Sequence, residues 1–289
     1  MEFKWKVPAQ QHGLPLEKVL RRQHGLSRRQ VVRLKRQPGS VVINGTSAPV
    51  VQILAVDDWV EVTMAEHLEP PPPEDIALDI IFEDEHILVL NKPGNIVSHP
   101  TKGYAGGTLA NALSHHWLQQ GESRPARLVT RLDRETSGLV LVAKSAWCHH
   151  RLSNTKIHKE YLAVTRGIPQ PDQGEIDQPI GRSPDNPKKR GVNPQGKPAL
   201  TRYWTVKTGE NLALVRLVPH TGRTHQLRIH MAHIGCPLVD DFMYGRVEGL
   251  VGRTALHAYK VEFNHPQSQQ KMQFTAPIPN DFSGLVGID

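Results

Sequence analysis

No segment restricts the fold of this chain more than Glu69-Pro70-Pro71-Pro72-Pro73-Glu74-Asp75. Each proline fixes φ at about −65° and lacks an amide N–H, so the run can enter neither a helix nor a sheet interior. It has to be an extended, semi-rigid linker. The 289 residues therefore divide into a small module at 1–68, a linker at 69–75 and a main domain at 76–289, which is long enough for one sizeable core.

Within the module, Leu16 to His24 has helical spacing and meets Gly25. Ser27 is placed to cap a second helix, Arg28 to Arg36, with Val31 and Leu34 inward and Gly39 as its stop. Ser40 to Gly45 reads as a strand entering a tight Asn-Gly turn, and Trp59 to Val62 as a closing strand. Arg28, Arg29, Arg33, Lys35 and Arg36 crowd the second helix, with Arg21 and Arg22 nearby and no acid between Arg21 and Arg36. Like charges at this density repel unless an anion offsets them, which points to a phosphate backbone rather than a merely solvated face. The whole chain agrees in sign: 35 Lys and Arg against 28 Asp and Glu give +7, a balance suited to a polyanionic partner.

In the main domain, Ile80 to Leu90 reads as two strands around an acidic turn. Leu139 to Ala143 is a short apolar run and reads as a buried strand. Further strands are expected at 160–165, 199–206, 212–218 and 258–263, and helices at Thr108 to Trp117 and Trp147 to Ile157. Ile180 to Lys197, rich in Gly, Pro and Asn with Lys188, Lys189 and Arg190, is expected to be a long exposed loop or arm that clamps a phosphate backbone. Cys148 and Cys236 are far apart, with no metal-binding spacing. The first residues carry no apolar leader and no window is long enough to cross a membrane, so a reducing, cytoplasmic location is expected.

The chemistry concentrates in Arg131-Leu132-Asp133-Arg134-Glu135-Thr136-Ser137-Gly138, just ahead of the apolar run. Nearby positive charge favours the ionised form of a carboxylate, which suits Asp133 to act as nucleophile or base. By itself the segment also fits an Arg-Asp pair that pins a loop.

Three further segments decide between those readings: Lys159 to Val164 with a tyrosine in a short strand, Pro219-His220-Thr221-Gly222-Arg223-Thr224-His225-Gln226-Leu227-Arg228-Ile229-His230-Met231, and Leu256-His257-Ala258-Tyr259. With Leu90-Asn91-Lys92-Pro93 they make the chain, from about residue 78 to 282, resemble the RluA-type RNA pseudouridine synthases. The module, over residues 13 to 63, resembles the small RNA-binding domain shared by a small-subunit ribosomal protein and several RNA-modifying enzymes. The resemblance implies an α+β fold, with a mixed, largely antiparallel central sheet flanked by helices. It implies Asp133 as nucleophile, Arg228 as the cation that holds it, and Tyr161 against the target uracil. Arg131 would enter the RNA where the flipped nucleotide leaves its stack, and Arg223 is a further RNA contact. The reaction is an isomerisation, so no cofactor or metal is expected. The implied partner is ribosomal RNA, or alternatively transfer RNA, and a monomer is expected.

Two positions depart from the family pattern: Thr130 before Arg131, expected to alter the flipping contact, and Asp240 before Asp241, expected to add a surface charge. A metal site built on His225, His230 and His233, with His220 and Asp240 nearby, is the competing reading, but the spacings match no zinc pattern. The other alternative is a non-catalytic RNA-binding or ribosome-assembly protein, for which Asp133, Tyr161 and Arg228 together would have no use.

Overall fold

The computed structural model describes residues 2–64, 69–101, 103–183, 186 and 189–287. Its first part comprises strand β1 (Glu2–Lys6), helices α1 (Leu16–Arg22) and α2 (Arg28–Arg36), and strands β2 (Val41–Ile43), β3 (Thr46–Ser47) and β4 (Trp59–Thr63). Ser27 caps α2 as expected: its hydroxyl accepts from the Gln30 amide, and Gln30 returns a bond to the Ser27 amide, satisfying two otherwise orphaned donors. Asn44 and Gly45 both adopt positive φ, so the two-residue turn matches the strand twist. The four strands form an antiparallel sheet in the order β1-β4-β2-β3.

The second part carries β5 (Asp79–Glu83), β6 (Ile87–Lys92), α3 (Leu109–Gln119), β7 (Arg127–Leu128), β8 (Ser137–Ala143), α4 (Ala146–Ser153) and β9 (His158–Arg166). There follow β10 (Gln173–Asp177), β11 (Ile180–Arg182), β12 (Arg190–Val192), β13 (Leu200–Thr208) and β14 (Leu212–Pro219). Last come α5 (Gln226–His233), β15 (Leu256–Asn264), β16 (Lys271–Thr275) and α6 (Asn280–Val286). Ten strands build one sheet along β10-β13-β14-β9-β15-β8-β6-β5, with β16 on β15 and β7 on β8. Only the β8–β15 pairing is parallel, so the fold is α+β with a mixed, largely antiparallel sheet.

Strand side chains alternate between faces, and here both faces are covered. Leu139, Leu141, Ile87 and Val89 point to one side, where they join α4 and the module residues Leu16, Leu20, Leu34, Val60 and Val62 in a single apolar cluster. Val140, Val142, Leu88 and Leu90 point to the other, against α3 and α5. The module is therefore packed on the sheet rather than merely tethered to it. The Trp147 indole N–H donates to the His24 carbonyl at 2.5 Å, and the rings of Phe3 and Trp147 meet edge-on. The described part of the proline segment is irregular and pinned to the start of α3: Asn111 donates to the Pro72 carbonyl and the Gly107 amide donates to Glu74.

Two expectations change. The helix expected to reach Ile157 ends at Ser153, because β9 begins at His158. Within 180–197, expected to be a long exposed loop or arm, β11 and β12 pair antiparallel, and Ile180 packs with Ala199, Ile229, Val192 and Tyr244. Gly196 lets the chain pass close to Ile180, since a Cβ there would lie 2.4 Å from the Ile180 carbonyl carbon. Lys188, one of the basic residues expected there, lies outside the described residues.

Gly138 has the same role at the centre of the sheet. Its φ is +107° and a Cβ would sit 2.3 Å from the Ala258 carbonyl oxygen, so only glycine lets β8 approach β15 directly after the aspartate loop. Gly138→Ala should therefore cost more than about 2 kcal/mol, while Gly249→Ala, at φ +73° in open space, should cost about 1 kcal/mol. Thermal unfolding of the two variants side by side checks this, and equal losses would show that the close approach is not required.

Candidate active site

Asp133 lies in the loop between β7 and β8, at the end of the sheet where β8, β15 and β9 converge. The loop is stitched from below through its backbone. Ser98 donates to the Leu132 carbonyl, and the buried Lys92 ammonium donates to the carbonyls of Arg134, Ile96 and Pro93. Arg253 donates to the Glu135 carbonyl, and Thr254 donates to the Glu135 carboxylate at 2.7 Å. Burial pulls the Lys92 pKa down to about 7, with Arg253 adding to the fall and Asp133 opposing it. This explains the lysine of Leu90-Asn91-Lys92-Pro93: it ends a buried strand and ties the aspartate loop, through the Arg134 carbonyl, to the 93–96 turn.

Arg228 reaches Asp133 from α5. Its Nη1 donates to Asp133 Oδ2 at 3.4 Å, while Nε and Nη2 donate to the two oxygens of Asp241 at 2.7 Å each. A paired fork of this kind fixes the plane of a guanidinium. Phe242 and Tyr244 lie against it, with ring centres 5.4 and 5.2 Å from its central carbon. Asp241 also accepts from the amides of Met243 and Tyr244. Burial works against the charge on Arg228, but the hydrogen bonds and charge of Asp241, followed by the charge of Asp133, outweigh it and raise its pKa. Exposure rises along this row of charges, from 0% for the Asp241 side chain and 4% for Arg228 to 37% for Asp133. Asp133 is the end that a substrate can reach.

Tyr161 is buried in β9, opposite Leu217 of β14 and Ala258 of β15. Burial, and then the charge of Asp133, push its phenol pKa far up, so it remains a neutral phenol. The flanking arginines do not pair with the aspartate. Arg134 bonds Glu135 and the Tyr104 hydroxyl, and Arg131 is exposed. Arg223 is half-buried and donates to the Pro198 carbonyl. Lys189 donates to the Met243 carbonyl, so the residue ahead of β12 is tied to the Asp241 turn. Arg28, Arg29, Lys35 and Arg36 are exposed and Arg33 is half-buried. A groove of about 780 Å³ between α1 and α2 is lined by Lys18, Arg21, Arg22, Arg28 and Lys35, and Lys35 is paired with Glu17.

Residues 86–233 match the family model for RNA pseudouridylate synthase. The chain belongs to this family. It is 38% identical over 268 residues to the uncharacterised RNA pseudouridine synthase YjbO of Bacillus subtilis, covering 91% of this chain and 95% of that one. It is 40% identical over 232 residues to ribosomal large subunit pseudouridine synthase D of Pasteurella multocida, covering 74% and 71%. Among solved structures, human RNA pseudouridylate synthase domain containing 1 matches at 28% identity with a TM-score of 0.57, over 71% of this chain and 85% of that one.

Pseudouridine synthase membership makes two departures from expectation more informative. Asp240, expected as a surface charge, is buried. Its two oxygens accept from the amides of Glu248, Gly249, Val251 and Gly252 and fold the 246–252 loop. Thr130, expected at the flipping contact, is also buried, and its hydroxyl accepts from the Leu141 amide of β8. The histidines of the competing metal reading turn to separate partners. His230 lies between the Thr201 hydroxyl and the Gln178 carbonyl, and His225 lies beside Tyr244. Sequence reasoning passed over Asp241 and Tyr244 as site residues. The signal was present in an acid and an aromatic three residues apart, close after the arginine segment.

Proposed function

We propose that this pseudouridine synthase acts on uridines of large-subunit ribosomal RNA, with Asp133 as nucleophile and the target nucleotide flipped out of its stack. The observation that carries the reading is the position of Asp133, partly exposed at the end of a row of buried charges and held through Oδ2. Oδ1 is then the oxygen left for attack. The relatives named for the large ribosomal subunit support the choice of RNA.

Pseudouridine formation breaks the bond from ribose C1′ to uracil N1 and makes one from C1′ to C5. C5 gives up a proton and N1 gains a hydrogen, so atoms balance without an oxidant or reductant. Attack by Asp133 on C1′ or on uracil C6 gives a covalent intermediate that divides one difficult step into easier ones. Arg228 fixes the direction of the carboxylate before substrate arrives, and preorganisation of this kind lowers the barrier because nothing has to reorient during reaction. Tyr161, a neutral phenol, packs against the uracil and can carry a proton.

The reacting atoms lie inside a base stack, so the nucleotide has to leave it at a cost of a few kcal/mol. Arg131, exposed two residues before Asp133, fills the vacated space, since a planar guanidinium stacks on bases. Arg28, Arg29, Arg33 and Arg36 grip the phosphate backbone from the module, and Lys189, Arg190 and Arg223 do so near the site. A monomeric, cytoplasmic protein completes the proposal. Among the described residues no helix is long and apolar enough to cross a membrane.

Two outcomes are expected. Tritium release from RNA labelled at uracil C5 should be abolished by Asp133→Asn, with RNA affinity kept within a few-fold; equal release by wild type and variant would end the nucleophile assignment. Replacing Arg28 and Arg29 by alanine should weaken binding and reduce the slope of log K against log salt by about one for each phosphate no longer neutralised. An unchanged slope would place the RNA elsewhere.

A further inference from the structure

His225 takes no part in the mechanism above, yet it faces the nucleophile. Its Nε2 is 3.8 Å from Asp133 Oδ2, the same oxygen that Arg228 holds. The residue sits immediately before α5 with φ 57° and ψ 21°, a left-handed conformation that histidine, like asparagine and aspartate, adopts more readily than most side chains. The first turn of α5 maintains that conformation, because the His225 carbonyl accepts the Ile229 amide at the start of the helix. The ring is fixed from its other side, where Nδ1 lies 3.0 Å from the Tyr244 hydroxyl and the two rings meet edge-on.

The direction of these bonds is set by Asp133. Its Oδ2 can only accept, which favours the ring proton on the Nε2 that faces it and leaves Nδ1 to accept from the Tyr244 hydroxyl. The ring proton of a neutral His225 is then on Nε2 and faces Asp133. We infer that His225 is a positioning residue for the nucleophile, its ring fixed by Tyr244 so that Nε2–H faces Oδ2 on the side that Arg228 leaves open and Oδ1 is directed toward the substrate. The inference rests on Asp133 being the nucleophile.

Its charge state matters for the same reason. Burial lowers the pKa of His225, and Arg228 and Arg190 act in the same direction, while Asp133 and Asp241 oppose them. The ring is therefore neutral at pH 7 and gains its proton only below the ordinary histidine range. Protonation places a second full positive charge beside Oδ2, which damps the nucleophile. It also turns Nδ1 into a donor that the Tyr244 proton no longer suits. Activity should therefore fall on the acid side as His225 becomes charged.

The test uses the full-length protein with in vitro transcripts of large-subunit ribosomal RNA and of transfer RNA, both labelled with tritium at uracil C5. Single-turnover release is followed by pH jump from about pH 4 to 9 for wild type, His225→Ala, His225→Gln, Tyr244→Phe and Asp133→Asn. His225→Ala should lose about tenfold in maximal rate with half-saturation unchanged. His225→Gln, which retains an N–H but cannot titrate, should recover most of the rate at pH 7.5 and lack the acid-side fall that wild type shows below the ordinary histidine range. Tyr244→Phe should show a smaller loss with the fall still present. If Asp133→Asn is inactive but His225→Ala matches wild type in rate and pH profile, the role of His225 is wrong and the nucleophile stands. A glutamine variant as slow as the alanine one, with the wild-type acid limb intact, would likewise overturn it. Full activity in Asp133→Asn would remove the reading on which it rests.

Discussion

The site depends on how one guanidinium is divided between two carboxylates. Arg228 is almost wholly buried, and a buried cation without a partner is costly by several kcal/mol. Asp241 supplies that partner at two short hydrogen bonds, and the amides of Met243 and Tyr244 occupy its remaining acceptor capacity. The charge is thereby stable whether or not Asp133 is bonded. Arg228 can then meet Asp133 at a longer distance through a single N–H, which orients the carboxylate while leaving Oδ1 outside that bond.

The rest of the fold keeps these groups in register. α5 delivers Arg228, and Gln226 in its first turn ties it to β13 through the Leu200 carbonyl and the Thr201 hydroxyl. Gly138 brings β8 against β15 so that the aspartate loop opens beside Tyr161. Lys92, Ser98, Arg253 and Thr254 then hold that loop through its carbonyls and through Glu135. The module contributes as well, since its apolar residues complete one face of the sheet that carries the loop. The basic helix α2 and the strands that carry Asp133 and Tyr161 are therefore joined through one apolar cluster.

What was legible in the sequence was local or periodic. Ser27 at a helix start, Asn44-Gly45 between strands and the apolar run 139–143 each carry their own structural instruction, and the structure places them accordingly. The association of Asp133 with Arg228 came from a family resemblance, because 95 residues separate them and no spacing rule joins them. Three features escaped because they exist only in the packed state. The 180–197 arm looked like a polar loop, since Ala199, Ile229 and Tyr244, which pack with Ile180, are scattered along the chain. Asp240 looked like a surface charge, since its burial depends on four amides of a loop that it organises. His225 looked like a candidate metal ligand, since the aspartate and the tyrosine that flank its ring come from distant parts of the chain.

If Asp241 serves the reaction chiefly by holding Arg228, the two residues are coupled, and a double-mutant cycle on the single-turnover rate measures that coupling. Arg228→Met and Asp241→Asn keep side-chain volume while removing the charges, and each should slow tritium release by more than about tenfold. Together they should be no slower than Arg228→Met alone within about threefold, because the second change would have no partner left to affect. Losses that multiply in the double variant, or an Asp241→Asn variant as fast as wild type, would contradict the account.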